Sequence, residues 1–147
     1  MGVLDVAKLG LETAIKSGLT SMVKEIIGQN PEILRTPITE DGQTPMHLAC
    51  KHKRCDVVEF LINLEYLRGR VLRGTPSYNM KDSHGDSPVF VAVEWNSTQL
   101  IERFLELDDL EVTCDNGKPL LWYCARWGRV SEKVARDVKL RGQMGQR

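Results

Sequence analysis

Any chemistry in this chain would have to come from a small set of side chains. The candidate bases are His47, His52 and His84, and the candidate nucleophiles are the thiols of Cys50, Cys55, Cys114 and Cys124. Catalytic serines, phosphate-cradling loops and metalloprotease helices each announce themselves by spacing. No G-x-S-x-G, G-x-x-x-x-G-K-S/T or H-E-x-x-H pattern occurs. The cysteines form no C-x-x-C pair, and their spacing to the histidines matches no standard zinc site. Cys50 and Cys124 fall among small apolar residues, where a thiol packs and stays inert. That leaves His52, His84, Cys55 and Cys114 without an orienting partner. The expectation is a chain that is not an enzyme and carries no cofactor or metal. Its thiols read as reduced, which suits the cytoplasm or nucleus.

The elements that hold these residues belong to one domain of 147 residues. A chain of that length buries a real core. Hydrophobic residues make up 41% and charged residues 27%, an ordinary balance for a globular protein. No apolar run approaches the roughly 18 residues that a membrane helix needs. The first five residues show neither the basic nor the apolar region of a secretory signal. Formal net charge is zero, but its distribution is uneven. Asp82 to Asp115 holds nine acids against Arg103 alone, whereas Lys118 onward holds eight bases against Glu132 and Asp137. Such a reversal either orients a charged partner or gives two solvated faces.

Internal repetition organises the chain. Asp41-Gly42-Gln43-Thr44-Pro45-Met46-His47-Leu48-Ala49-Cys50 aligns without gaps with His84-Gly85-Asp86-Ser87-Pro88-Val89-Phe90-Val91-Ala92-Val93. A third copy runs from Asn116-Gly117 to Cys124-Ala125. Thr44 and Ser87 suit the N-cap of a helix, through a hydroxyl that can accept from a free amide. Pro45 and Pro88 follow at the first helical position, where a missing N–H costs nothing. A second helix comes in register: Val57, Val58, Leu61 and Ile62 stand at the same offsets from Gly42 as Leu100, Ile101, Phe104 and Leu105 do from Gly85. Met22, Val23, Ile26 and Ile27 keep those offsets from Ala7, marking an amino-terminal unit whose first helix carries Ala14, Ile15 and Gly18.

Thr44-Pro45-Met46-His47-Leu48-Ala49 resembles the T-P-L-H-x-A signature of ankyrin repeats, and Ser87-Pro88-Val89 is a looser copy. The resemblance implies an all-α solenoid of stacked helix-turn-helix units with β-turn finger loops. The expected units are residues 4–36, 39–72, 82–112 and 114–141. Turn glycines at 42, 85 and 117 are 43 and 32 residues apart, where the family has about 33. An insertion over 65–81 accounts for the excess. It is either a functional loop or a tolerated surface one. Phe90, Trp122 and Glu12 replace the signature histidine, so only unit two can form the Thr44–His47 hydroxyl–imidazole bond, and His47 is expected to be structural. The polar last helix, and Lys8, Glu12 and Lys16 in the first, read as the solubilising caps of a complete four-unit array. A piece of a longer protein is the alternative.

The resemblance also implies a partner protein bound on a concave face, built from turn tips and the exposed side of the first helices. The corresponding residues are Glu40, Asp41, Gln43, Lys51 and His52 in unit two. In unit three they are Ser83, His84, Asp86, Glu94 and Trp95, and in unit four Asp115, Asn116, Lys118, Arg126 and Trp127. Trp95 and Trp127 hold equivalent places and would stand side by side as a binding anchor, or else fold inward. Arg68, Arg70, Arg73 and Tyr78 are the insertion's candidate contacts. The expected function is an adaptor, scaffold or inhibitor, monomeric alone. The alternative is a polyanion binder (nucleic acid or phosphoinositide) using the basic insertion and tail, which the neutral net charge disfavours.

Overall fold

A computed structural model describes residues 2–68, 74–107, 109–111 and 120. Six α-helices occur among them: α1 Val3–Ser17, α2 Thr20–Gln29, α3 Pro45–Lys51, α4 Cys55–Arg68, α5 Pro88–Glu94 and α6 Thr98–Leu105. Two 3-10 turns are present, Pro31–Arg35 directly after α2 and Ser77–Asn79 within the 65–81 insertion. No strand is present among the described residues. The helices pair as α1–α2, α3–α4 and α5–α6. The first helices stack side by side, α3 packing against both α1 and α5, while α2 packs on α4 in a second layer.

Small residues set the closeness of the first layer. Ala14, Ala49 and Ala92 occupy one register position and are all fully buried. Between the layers lie Val23, Val58 and Ile101, with Ile27, Ile62 and Leu105 a turn further on. The expected second-helix stripe is thus buried in α4 and α6. In α2 Val23 and Ile27 are buried, but Met22 is 46% exposed. Its register equivalent in α4, Val57, is fully buried. Val6 and Leu9 are also exposed, at 58% and 55%. The first unit thus displays apolar side chains as well as Lys8, Glu12 and Lys16, of which Lys16 pairs with Glu12 at 2.8 Å.

Each helix pair turns the same corner. Gly18, Lys53 and Asn96 share a register position and all adopt the left-handed conformation, with φ of 74°, 57° and 56°. The amides of these residues and their successors reach back to the ends of α1, α3 and α5, as Leu19 N–H does to Ala14 O at 2.9 Å and Arg54 N–H to Ala49 O at 2.8 Å. This arrangement satisfies carbonyls that a helix end would leave unpaired. Arg54 then ties unit two to unit one: its Nε donates to Ile15 O at 3.0 Å and its Nη2 to Lys16 O.

The turns before α3 and α5 are also built alike. Gly42 and Gly85 have φ of 74° and 79°. Thr39 Oγ1 accepts from Gln43 N–H, while Asp82 Oδ1 accepts from the amides of His84 and Asp86. Ser83 N–H donates to Asp41 O at 2.9 Å, joining one turn to the next. A Cβ on Gly42 would sit 2.8 Å from Ser83 Oγ, so the close stacking of the turns itself requires glycine.

The insertion is fastened at both ends of its described part. Its first residues, 65–68, continue α4. The Glu65 side chain, 2% exposed, accepts from Arg35 Nη2 at 2.7 Å and Arg35 Nε at 3.2 Å, and from the Ser77 amide at 3.2 Å. Both 3-10 turns are thereby held on α4. Tyr78 Oη donates to Asp109 Oδ1 at 2.7 Å, and Asn79 Nδ2 donates to Asp109 O at 2.8 Å. Residues 69–73 and most of the fourth unit lie outside the described residues. Leu120, at that unit's start, is helical and fully buried.

Two stability outcomes follow. Removing one partner of a buried, hydrogen-bonded ion pair leaves charge and donors stranded, so Glu65→Ala should lower unfolding free energy by about 3 kcal/mol in urea melts. Lys53→Gly should raise it by about 1 kcal/mol, since glycine adopts the left-handed corner without a Cβ clash.

Candidate partner-binding face

His47 anchors the surface from beneath. Its Nε2 lies 2.8 Å from the Asp86 carbonyl oxygen of the next unit, which can only accept, so Nε2 carries the proton. Nδ1 is then the acceptor for Thr44 N–H at 3.2 Å and for the Thr44 hydroxyl at 2.9 Å. The imidazole is fully buried and locks the α3 start to the following turn. Burial holds its pKa below the ordinary 6.5, against the opposing pull of the Asp86 carbonyl and Asp82. Ser87 occupies the equivalent cap position, but with Phe90 in place of histidine its hydroxyl makes no cap bond and is buried without a partner. Capping by the Ser87 hydroxyl, expected from residue type, is not realised.

Above this framework two rows of side chains reach the surface. At the turn tips Glu40, Asp41, Ser83 and His84 are exposed, and Gln43 and Asp86 are half-buried. At the far ends of the first helices one register position holds Lys16, Lys51 and Glu94, and the next holds Ser17, His52 and Trp95. Trp95 is 44% exposed, and the Lys51 ammonium lies 5.4 Å from its ring centroid. Lysine and indole therefore meet across the boundary of units two and three in a cation–π contact. His52 is half-buried, with Nε2 buried and unpartnered. Burial depresses its pKa, and Lys51, Lys16 and Arg54 depress it further, with Glu12 opposing.

Several expected contacts are not displayed here. Tyr78, a candidate contact of the insertion, is only 4% exposed, because its ring is buried and its hydroxyl bonds Asp109. Burial and Asp109 push its phenol pKa upward. Arg68 ends α4 and is half-buried. Arg70, Arg73, Asp115, Asn116, Lys118, Arg126 and Trp127 lie outside the described residues, so Trp95 alone of the tryptophan pair is placed. Sequence reasoning passed over Lys53 and Arg54. The run Lys51-His52-Lys53-Arg54 was the available signal, and the helix corner leaves Lys53 exposed and the other three half-buried, with Arg54 bonded to the Lys16 carbonyl.

Two of the thiols, Cys50 and Cys55, are among the described residues. Cys50 is fully buried, and burial followed by Cys55 pushes its pKa well up, away from the reactive thiolate. Cys55 is half-buried, its Sγ 3.8 Å from Gln99 Oε1. Among the described residues no three His, Cys, Asp or Glu side chains gather as a metal site, and no helix is long and apolar enough to cross a membrane.

Repeated corners, stacked turns and the Thr44–His47 bridge define a helical repeat protein. The chain belongs to the ankyrin-repeat family, whose model matches residues 11–106 in three copies. No curated protein matches the chain. Ankyrin repeats are in general protein–protein interaction modules, and domains built from them are typically non-catalytic.

The histidine bridge gives the protein a pH signature. Because the folded pKa is depressed, the unfolded chain takes up the proton first, and this contribution to stability is full above about pH 6.5 and lost as pH falls below it. Urea midpoints should drop on going from pH 7.5 to 5.5, and by less in His47→Gln, which starts from a lower midpoint.

Proposed function

We propose that this chain is a non-catalytic adaptor, scaffold or inhibitor that binds a partner protein on the face carrying the turn tips and the ends of α1, α3 and α5. The observation that carries the reading is Trp95. A large aromatic, 44% exposed, stands at the end of a helix with a lysine stacked on it. Leaving that surface in water is costly, whereas indole surface covered by a partner is among the strongest sources of binding energy. Its surroundings suit an interface rim, with acids and His84 at the turn tips and bases at the helix corners. The underlying helices are held by buried bonds, so the surface is rigid before a partner arrives and little ordering entropy is lost on binding. A cytoplasmic or nuclear setting fits the two described thiols, which are unpaired.

The reading is tested by replacing single residues with a photo-crosslinking amino acid. Positions 41, 84 and 95 should trap a common partner protein from cell extract. Exposed second-layer positions 24 and 63 should trap it weakly or not at all. Crosslinking confined to positions 24 and 63 would overturn the assignment of the face.

A further inference from the structure

The corner between α3 and α4 concentrates positive charge in side chains that have no carboxylate partner among the described residues. Lys51, Lys53 and Arg54 form no ion pair among the described residues. The Arg54 guanidinium is hydrogen-bonded, but to the Ile15 and Lys16 carbonyls, which carry no net charge. Asp56, the next acid along the chain, is exposed and pairs with none of them. Lys16 does have a carboxylate, Glu12, at 2.8 Å. Three cations in one corner, none paired with a carboxylate among the described residues, constitute an anion-attracting patch.

Helix chemistry does not require this arrangement. Basic residues in a last helical turn complement the macrodipole, yet α5 ends on Glu94 with no base in its last turn and forms equally well. At the left-handed corner position unit one uses glycine and unit three asparagine, the two residues that tolerate it. Unit two places exposed Lys53 there instead. The indole of Trp95 forms the patch's apolar wall, held there by the Lys51 ammonium.

We infer that the Lys51–Arg54 corner and the adjoining Trp95 ring dock a short acidic segment of the partner protein, with its carboxylates on the corner and an apolar side chain against the indole. This deepens the proposed function and rests on it. A protein segment fits better than a nucleic acid because the patch is small and bounded by acids. Glu94 adjoins Trp95 in unit three, and Glu40 and Asp41 stand exposed at the turn tip of unit two, which also carries the corner. A uniformly charged polyanion laid across the face would meet these acids, whereas a segment that is acidic only locally would not.

The test uses the full chain and fluorescence anisotropy with three probes: a labelled peptide of Asp and Glu around one Phe, its Asn and Gln counterpart, and labelled poly(U). The acidic peptide should bind about tenfold or more tightly than its amide counterpart, and more weakly as salt rises. Lys51→Glu with Lys53→Glu should abolish the preference, and Trp95→Ala should weaken binding. These side chains lie at the surface, and a matching urea midpoint for each variant excludes unfolding. Equal binding of both peptides, weakened in Trp95→Ala, would overturn the acidic preference and leave the broader face assignment standing. Tighter binding of poly(U) than of the acidic peptide would overturn the choice of partner. Binding of neither peptide would overturn the inference, while the crosslinking pattern would still decide the face on its own.

Discussion

Helices of seven residues do not persist alone in water, and α3 and α5 are each that short. Their stability must come from neighbours, and the rest of the structure follows from that constraint. Alanines at one register position bring the first helices close, and the second layer covers them with Val, Ile, Leu and Phe side chains. No helix pair buries its apolar surface unaided, which is the physical meaning of a repeat protein. Polar side chains then fix the register that apolar contact alone leaves loose. His47 spans from one helix start to the next turn, Arg54 from one corner to the preceding helix end, and Glu65 from α4 to two 3-10 turns.

These polar bridges also explain why the surface can be specific. A side chain displayed on a short helix is only as well placed as the helix beneath it. Trp95 stands at the end of α5, whose preceding turn is gripped by His47 through the Asp86 carbonyl. Lys51 ends α3, whose start is bonded to the same imidazole. One buried ring thus holds both members of the lysine–indole contact in relation to each other. The face is charged in two zones, acidic at the tips of unit two and basic at its corner, and such separation favours orientation of a partner over raw affinity.

Much of this fold was legible in the sequence. Local signals suffice for Thr44-Pro45 at a helix start, for Gly42 and Gly85 in turns, and for the Val57 to Ile62 stripe. Gly18 reads in sequence as part of the first helix, whereas it is the left-handed corner just past the end of α1, and Lys53 and Asn96 hide the same conformation behind residues that do not advertise it. The Arg35–Glu65–Ser77 bridge joins residues far apart in sequence and exists only because the units stack. Tyr78 was a candidate contact of the insertion, yet an aromatic that finds Asp109 for its hydroxyl is cheaper to bury. The placement of Trp95 and Lys51 at the ends of the first helices was legible because register alone fixes it. Lys53 and Arg54 were not, because their exposure as a cluster depends on how the corner folds.

The central claim is that a partner protein covers the turn tips and the first-helix corners, leaving the second layer free. Hydrogen–deuterium exchange on the chain, alone and bound to the partner that crosslinking identifies, measures this directly. The account predicts slowed exchange at amides of 39–43, 51–54, 82–86 and 94–96, with α2 and the solvent side of α4 and α6 unchanged. Protection confined to α2, α4 and α6, with the turn tips and corners exchanging as in the free chain, would contradict it.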